Sequence, residues 1–445
     1  TRFQRAPRGE AGGCVATDGS CGDAVVLDAR WTPAQAQNNT AVNLPGWDKP
    51  SYAGFVETDA AAGNNMFWWF FPALNGNASA PLLIWLQGGP GGSSMFGLFS
   101  ENGPFFVDAD AQLHPRAATW NAEYAMLYID NPVGAGFSYT TNDGYCHDET
   151  CVARNLYALL QAFYGAFPHM RAPPLYVTGE SYAGHYVPAF AFYIDAQNEA
   201  GGAPHVNLAG VSIGDGWVDP VTQMTGYADQ LFNIGMADSI QRGVIEGYQN
   251  RTVAAIEAGD MLAAFDVWDE MLNGDIYKYP TYFANITGSH DYDNFLRSVA
   301  PASFGYFYRF LSQPAVAAAI HVGSHAFQDG HDCEMALLKD FMVSLKAELG
   351  HLADRYKVLI YNGQLDIIIG GPLTEAYLPS IPWSGARAFA KAQRHVWRAN
   401  ATTAQVSGWA RTVQNFTQVI VGGAGHILPF DQPERALDMI TRFVD

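Results

Sequence analysis

A covered strand that breaks straight into a helix around one serine is written into Leu175-Tyr176-Val177-Thr178-Gly179-Glu180-Ser181-Tyr182-Ala183-Gly184. The run opens with apolar, aromatic and β-branched residues that suit a strand, and a more helix-like segment, His185 to Ala196, follows the serine. Small residues two before and two after it, Gly179 and Ala183, permit the sharp turn that lifts a hydroxyl above the edge of a sheet. The Gly-x-Ser-x-Gly form is missed by one position, because Ala183 stands where the second glycine is expected. A serine capping an ordinary helix reads much the same in isolation, so the stretch needs partners elsewhere in the chain.

The rest of the pattern supplies a sheet for that turn. Tyr52 to Glu57 and Met66 to Phe71 read as an antiparallel edge, and Leu82 to Leu86, apolar without alternation, as a central strand covered on both faces. Tyr124 to Ile129, Asn207 to Gly214, Lys357 to Tyr361 and Gln418 to Val421 read as further strands. Val152 to Phe167 places Leu156, Leu159, Leu160 and Phe163 at helical spacing, and Pro433 to Phe443 reads as a final helix. Helical signals also run through Glu334 to Leu349. Between about Asp219 and Leu311 the chain turns aromatic and helix-like, with Ser239 to Gly259 and Met261 to Leu272 as the clearest segments. With 445 residues and 49% hydrophobic content a large core is available. The expectation is an α/β fold with a mixed, mostly parallel sheet, helices on both faces and an inserted, largely helical cap. Its parts are a loosely ordered N-terminal arm (1–45), a core in two pieces (46–218 and 312–445) and the cap (219–311).

Charge and cysteine usage narrow the surroundings. A formal net charge of −19 and the lack of any lysine- or arginine-rich run would repel nucleic acid, and no stretch has the length and apolarity of a membrane span. A start at Thr1 without an apolar leader suggests a trimmed, mature form. The spacing of Cys14 with Cys21 and of Cys146 with Cys151 permits two small-loop disulfides and leaves Cys333 over. Six Asn-x-Ser/Thr sites, at Asn38, Asn77, Asn250, Asn285, Asn400 and Asn415, favour the secretory pathway, with a secreted, lysosomal or vacuolar destination. His321, His325, His331 and Asp332 complete no recognised metal-ligand pattern, so no metal and no other cofactor is expected.

A serine nucleophile requires a base, a group that orients the base, and donors for the oxyanion. Asp366 follows the strand Lys357 to Tyr361, and His426 follows Gln418 to Val421 in the run Gly422-Gly423-Ala424-Gly425-His426. The order Ser181, Asp366, His426, each beyond a strand end, is that of the α/β-hydrolases. The glycine-rich run Gln87-Gly88-Gly89-Pro90-Gly91-Gly92 after Leu86 lets main-chain N–H groups face a ligand. It has neither the Gly-Lys-Ser/Thr ending nor the spacing of a nucleotide-binding loop.

Taken together, these segments resemble the serine carboxypeptidase family. The run Trp85 to Leu98 is similar to its vitellogenic carboxypeptidase-like branch, and Asp130 to Tyr139, Gly179 to Gly184, Tyr361 to Ile367 and Gly425 to Pro433 fit at the same time. The match extends from about residue 50 to the end. Two departures stand out: the family usually has asparagine at Gln87 and cysteine at Gly92, the latter a disulfide partner. The resemblance implies an acyl-enzyme on Ser181, with His426 as base, Asp366 as its orienter, and the amides of Gly89 and Tyr182 as oxyanion donors. It further implies that Trp85, Gln87, Gly88, Glu101 and Glu180 bind the free carboxylate of a peptide or protein C-terminus. Two glutamates suit an anion only when they hold a proton, so peptide cleavage is expected to be best at acid pH, and esters without a free carboxylate to escape the loss at higher pH. An acyltransferase on the same framework, and a non-catalytic protein that stabilises a partner, are the alternatives in view.

Overall fold

The computed structural model describes residues 21–400, 402 and 404–445. Ten strands form the path of the main sheet: β1 (Tyr52–Asp59), β2 (Asn64–Phe71), β3 (Leu82–Leu86), β4 (Ala125–Ile129), β5 (Leu175–Glu180), β6 (Leu208–Gly214), β7 (Lys357–Gly363), β8 (His395–Trp397), β9 (Gly408–Val413) and β10 (Phe416–Val421). Their spatial order is β1-β2-β4-β3-β5-β6-β7-β10-β9-β8, with the short strand Tyr139–Thr140 added against β2. The six central strands, β4 through β10 along that path, pair in parallel, and antiparallel pairs close both edges.

Seven helices matter below: α1 (Pro33–Thr40), α2 (Glu149–Ala166), α3 (Ala183–Ala200), α4 (Ser239–Glu257), α5 (Met261–Trp268), α6 (Lys346–Ala353) and α7 (Pro433–Val444). Successive strand residues feed two separate cores. Trp68, Ile84, Leu127 and Val177 join Leu156, Leu160 and Phe163 of α2 on one face, whereas Trp69, Leu83, Tyr128 and Tyr176 join Met439, Ile440 and Phe443 of α7 on the other. A strand apolar on both sides is therefore anchored twice, and truncating one such leucine or isoleucine to alanine costs about 2–5 kcal/mol. That rigidity carries through to the loops at the carboxyl ends of the strands, where ligands of open parallel sheets bind.

Three stretches differ from the sequence reading. Regular structure starts before Ser51: a capping box of Thr32 and Gln35 begins α1, Val26 pairs with Phe55, and Ala41 pairs with Tyr52, so residues 21–45 are tied to β1. The polar composition of this stretch conceals those backbone links. The antiparallel strands β8 and β9 had no clear signal, because Gly408, Arg411 and Thr412 dilute the apolar alternation. The expected helix through Glu334 to Leu349 splits into His331–Leu337 and α6. Between β6 and β7 the chain makes α4, α5 and shorter helices, and among the described residues no helix is long and apolar enough to cross a membrane.

Candidate active site

Ser181 follows β5 with φ 61°, left-handed backbone that few residues other than glycine adopt. The turn is secured from three sides. The Ser181 amide donates to the Gly214 carbonyl at 2.9 Å, and the Ser181 carbonyl accepts from the amides of Gly184 (2.9 Å) and Trp217 (3.0 Å). A Cβ on Gly179 would stand 2.5 Å from the Leu86 carbonyl, and one on Gly184 would stand 2.6 Å from the Trp217 nitrogen. The second glycine the turn requires is thus Gly184, one position beyond Ala183, whose methyl group packs over Gly179. On the facing loop a Cβ at Gly88 would meet Ser181 Cβ and the Tyr182 nitrogen, each at 2.6 Å, and Gly89 takes φ 127°. Backbone of the glycine-rich loop therefore lies directly against the amide that follows the serine.

Asp366 and His426 meet as the chain order suggested. His426 Nδ1 lies 2.9 Å from Asp366 Oδ2. An ionised carboxylate only accepts, so Nδ1 carries the hydrogen and Nε2 is left as the basic nitrogen. That Nε2 is buried and without a hydrogen-bond partner. Burial opposes a charge on the ring, but the charge and hydrogen bond of Asp366, joined by Asp293, overcome it and hold the imidazole pKa above its ordinary value. The segment 291–297 clasps both loops. Asp293 accepts from the His426 amide at 2.6 Å, Tyr292 accepts from the amides of Ile367 and Ile368, and the Phe295 amide donates to Leu365. Arg297 bridges Asp291 (3.1 Å) and Asp431 (3.0 Å), while Asp431 takes the Gly425 amide at 2.7 Å. From a preceding helix, Gln230 donates to the Asp366 carbonyl at 2.6 Å.

Glu101 ends a π-helical turn, Gly97–Glu101, and is fully buried beside Glu180. Gln87 Nε2 donates to Glu180 Oε1 at 2.8 Å, and its own carbonyl is held by Trp85 Nε1 at 2.9 Å. The longer amide at this position thus reaches the glutamate. Both Glu101 oxygens and Glu180 Oε2 are buried without a well-formed hydrogen bond, and the two acids lie near enough for each to act on the other. Desolvation lifts Glu101 to about 7, and the nearby Glu180 and Gln87 side chains offset that rise only in part. Desolvation, then the charge of Glu101, lifts Glu180 well above the usual carboxylate range.

The remaining expectations distribute as follows. All six sequon asparagines are exposed. Cys146 and Cys151 form a disulfide, and Cys333 is buried with Sγ 3.1 Å from the Gly330 carbonyl, beside Gly91 of the glycine-rich loop. Cys14, and with it the expected pairing to Cys21, lies outside the described residues. His321 bonds to the Ala41 carbonyl and His325 stacks on Tyr139, whereas His331 stands near Glu334, so the three histidines part. Sequence reasoning passed over Asp215, Asp293 and Gln230. Asp215 was within reach: it too stands beside glycines at a strand end, in Gly214-Asp215-Gly216. Asp293 and Gln230 lie in a segment whose local pattern carries no such cue.

Residues 43–445 match the family model for serine carboxypeptidase. The chain is 45% identical over 402 residues to the human probable serine carboxypeptidase CPVL, a match covering 90% of this chain and 84% of that one. It is 43% identical over 396 residues to the venom serine carboxypeptidase of Apis mellifera, covering 88% and 84%. It is 37% identical over 416 residues to the vitellogenic carboxypeptidase of Aedes aegypti, covering 92% and 86%. Among solved structures, the prohormone-processing carboxypeptidase of Saccharomyces cerevisiae, 23% identical, superimposes with a TM-score of 0.79 over 92% of this chain and 96% of that one. The likeness is one of fold, and it identifies the α/β-hydrolase architecture expected from the order of serine, acid and histidine.

Proposed function

The chain belongs to the serine carboxypeptidase family, and on that premise we propose that it removes single amino acids from peptide and protein C-termini through an acyl-enzyme on Ser181. His426 takes the Ser181 proton as the hydroxyl attacks the last peptide carbonyl, and returns it to the departing amine; water then resolves the acyl-enzyme. Asp366 fixes the imidazole tautomer and stabilises its charged form. The amides of Gly89 and Tyr182 receive the oxyanion. Glu101 and Glu180, with Trp85, Gln87 and Gly88, hold the terminal carboxylate by lending it their proton.

One observation carries this reading: a fully buried pair of neighbouring glutamates, Glu101 and Glu180, includes the residue next to Ser181, the serine of the elbow. A generic hydrolase has no use for two buried acids there, whereas a site for a chain end does. The residues from 219 to 311 form, in this reading, a cap over the sheet whose inner wall selects substrate side chains, between core pieces 46–218 and 312–445 and after an arm of 1–45. Exposure of Asn38, Asn77, Asn250, Asn285, Asn400 and Asn415, together with the Cys146–Cys151 bridge, supports glycosylation and residence in the secretory pathway, secreted or in a lysosome or vacuole.

The test is covalent labelling of Ser181 by a fluorophosphonate, combined with cleavage of a peptide library near about pH 5 in free-acid and C-terminally amidated forms. Labelling, release of single C-terminal residues and preference for the free acid are expected. An unlabelled serine, or activity that survives Ser181→Ala, defeats the proposal.

A further inference from the structure

Behind Asp366 stands a second buried aspartate. Asp215 follows β6 with φ 44°, held there as its amide donates to the Tyr361 carbonyl at 2.7 Å. Its Oδ1 accepts from the Gly363 amide at 2.9 Å and from Asn362 Nδ2 at 3.3 Å. Its Oδ2 is buried and receives no donor. One carboxyl oxygen of Asp215, one of Asp366 and one ring nitrogen of His426 all lie within 4.8 Å of one another. Asp366 is supplied with donors on both oxygens, from the Ile369 amide at 3.2 Å and from His426. Two carboxylates so close in a dry site do not both stay ionised, and Asp215 Oδ2 is the one oxygen of the four without a hydrogen.

We infer that Asp215 is a positioning residue of the hydrolytic site: as a neutral carboxylic acid it donates an Oδ2–H hydrogen bond to Asp366, so the negative charge of this pair rests on Asp366. The inference rests on the proposed roles of Ser181, Asp366 and His426. Facing Asp215 are Asp366 and Asn362, with Glu180, Tyr361 and His426 in the same buried region. Burial first, then the charge and hydrogen bond of Asp366, keep the Asp215 pKa well above the usual carboxylate range. Asparagine reproduces the arrangement, because its carbonyl takes the two N–H donors and its amide faces Asp366. Leucine removes the donor.

The experiment compares wild type, Asp215→Asn and Asp215→Leu by fluorophosphonate labelling of Ser181 and by hydrolysis of an ester without a free carboxylate, from about pH 4 to 8, so that Glu101 and Glu180 do not intervene. Asp215→Asn is expected within about threefold of wild type, with the acid limb of kcat/KM unmoved. Asp215→Leu is expected to lose about 10- to 100-fold in kcat at similar KM. If Asp215 were ionised, removing its charge would let His426 deprotonate more easily, and the acid limb of Asp215→Asn would move about a unit or more to lower pH; that result overturns the inference. So does wild-type kcat in Asp215→Leu. Should the leucine variant fail to fold, the limb of Asp215→Asn decides alone. A wild type that takes no label and turns over no ester defeats the serine mechanism itself and this inference with it, whereas a labelled wild type with a shifted limb defeats this inference only.

Discussion

Two buried carboxyl pairs, Glu101–Glu180 and Asp215–Asp366, meet similar surroundings with opposite outcomes. Both are buried, and in both the neighbouring acid raises a carboxyl pKa, but only the Gln87 amide supplies the glutamates, whereas each aspartate receives two N–H groups. The difference is the third partner. Beside the aspartates stands His426, a base that becomes a cation during turnover, and its N–H keeps Asp366 in use as an anion. Beside the glutamates the Gln87 amide carries no charge, and the charges of His426 and Arg116 lower the Glu101 pKa by less than burial raises it, so desolvation dominates. A carboxyl's task is thus set less by its own burial than by whether a neighbour can become positive.

The largest effect that probes this contrast is Asp366→Asn, which keeps the shape of the acid but removes its charge. It should lower kcat about 10⁴-fold for peptides and esters alike, measured at saturating substrate. Glu101→Gln should do the opposite to stability. A carboxyl that binds its proton more tightly when folded contributes fully below its unfolded value of 4.5 and loses that contribution as pH rises through about 7. The variant has nothing to lose, so in urea titrations it should match wild type near about pH 4 and gain stability by pH 8, with a ceiling of about 3 kcal/mol. Glu101→Ala should split the substrates, with peptide kcat/KM falling about 100-fold near pH 5 and ester kcat/KM changing less than about threefold; equal losses on both would dissolve the distinction between the pairs. The smallest effect concerns Glu180→Gln, which cannot give up its donor as pH rises. Its peptidase profile should extend about one unit higher than that of wild type, which declines through about pH 7, while ester hydrolysis continues in both.

Much of this was legible from the residues in order. Strand ends carry strong local signals, so Ser181, Asp366 and His426 could be found from Gly179, Gly363 and Gly425 and the apolar runs before them. Glu101 and Glu180 gained a role only through family resemblance, since an isolated glutamate says nothing of its burial. Asp215 stayed hidden because its partner lies 148 residues further on, on the neighbouring strand end at Gly363. Asp293 stayed hidden for a related reason: it meets His426 through its main-chain carbonyl, which every residue possesses, and its charge reaches the ring only because the fold brings the two loops together. Ala183 misled in a small way, because the close approach that forbids a side chain falls at Gly184, where Trp217 returns.

The clasp formed by residues 291–297 has a consequence for how the molecule fails. It grips the loop of the acid and the loop of the base at once, so loosening this one stretch uncouples His426 from Asp366 before the sheet itself gives way. Activity then disappears while most of the structure survives.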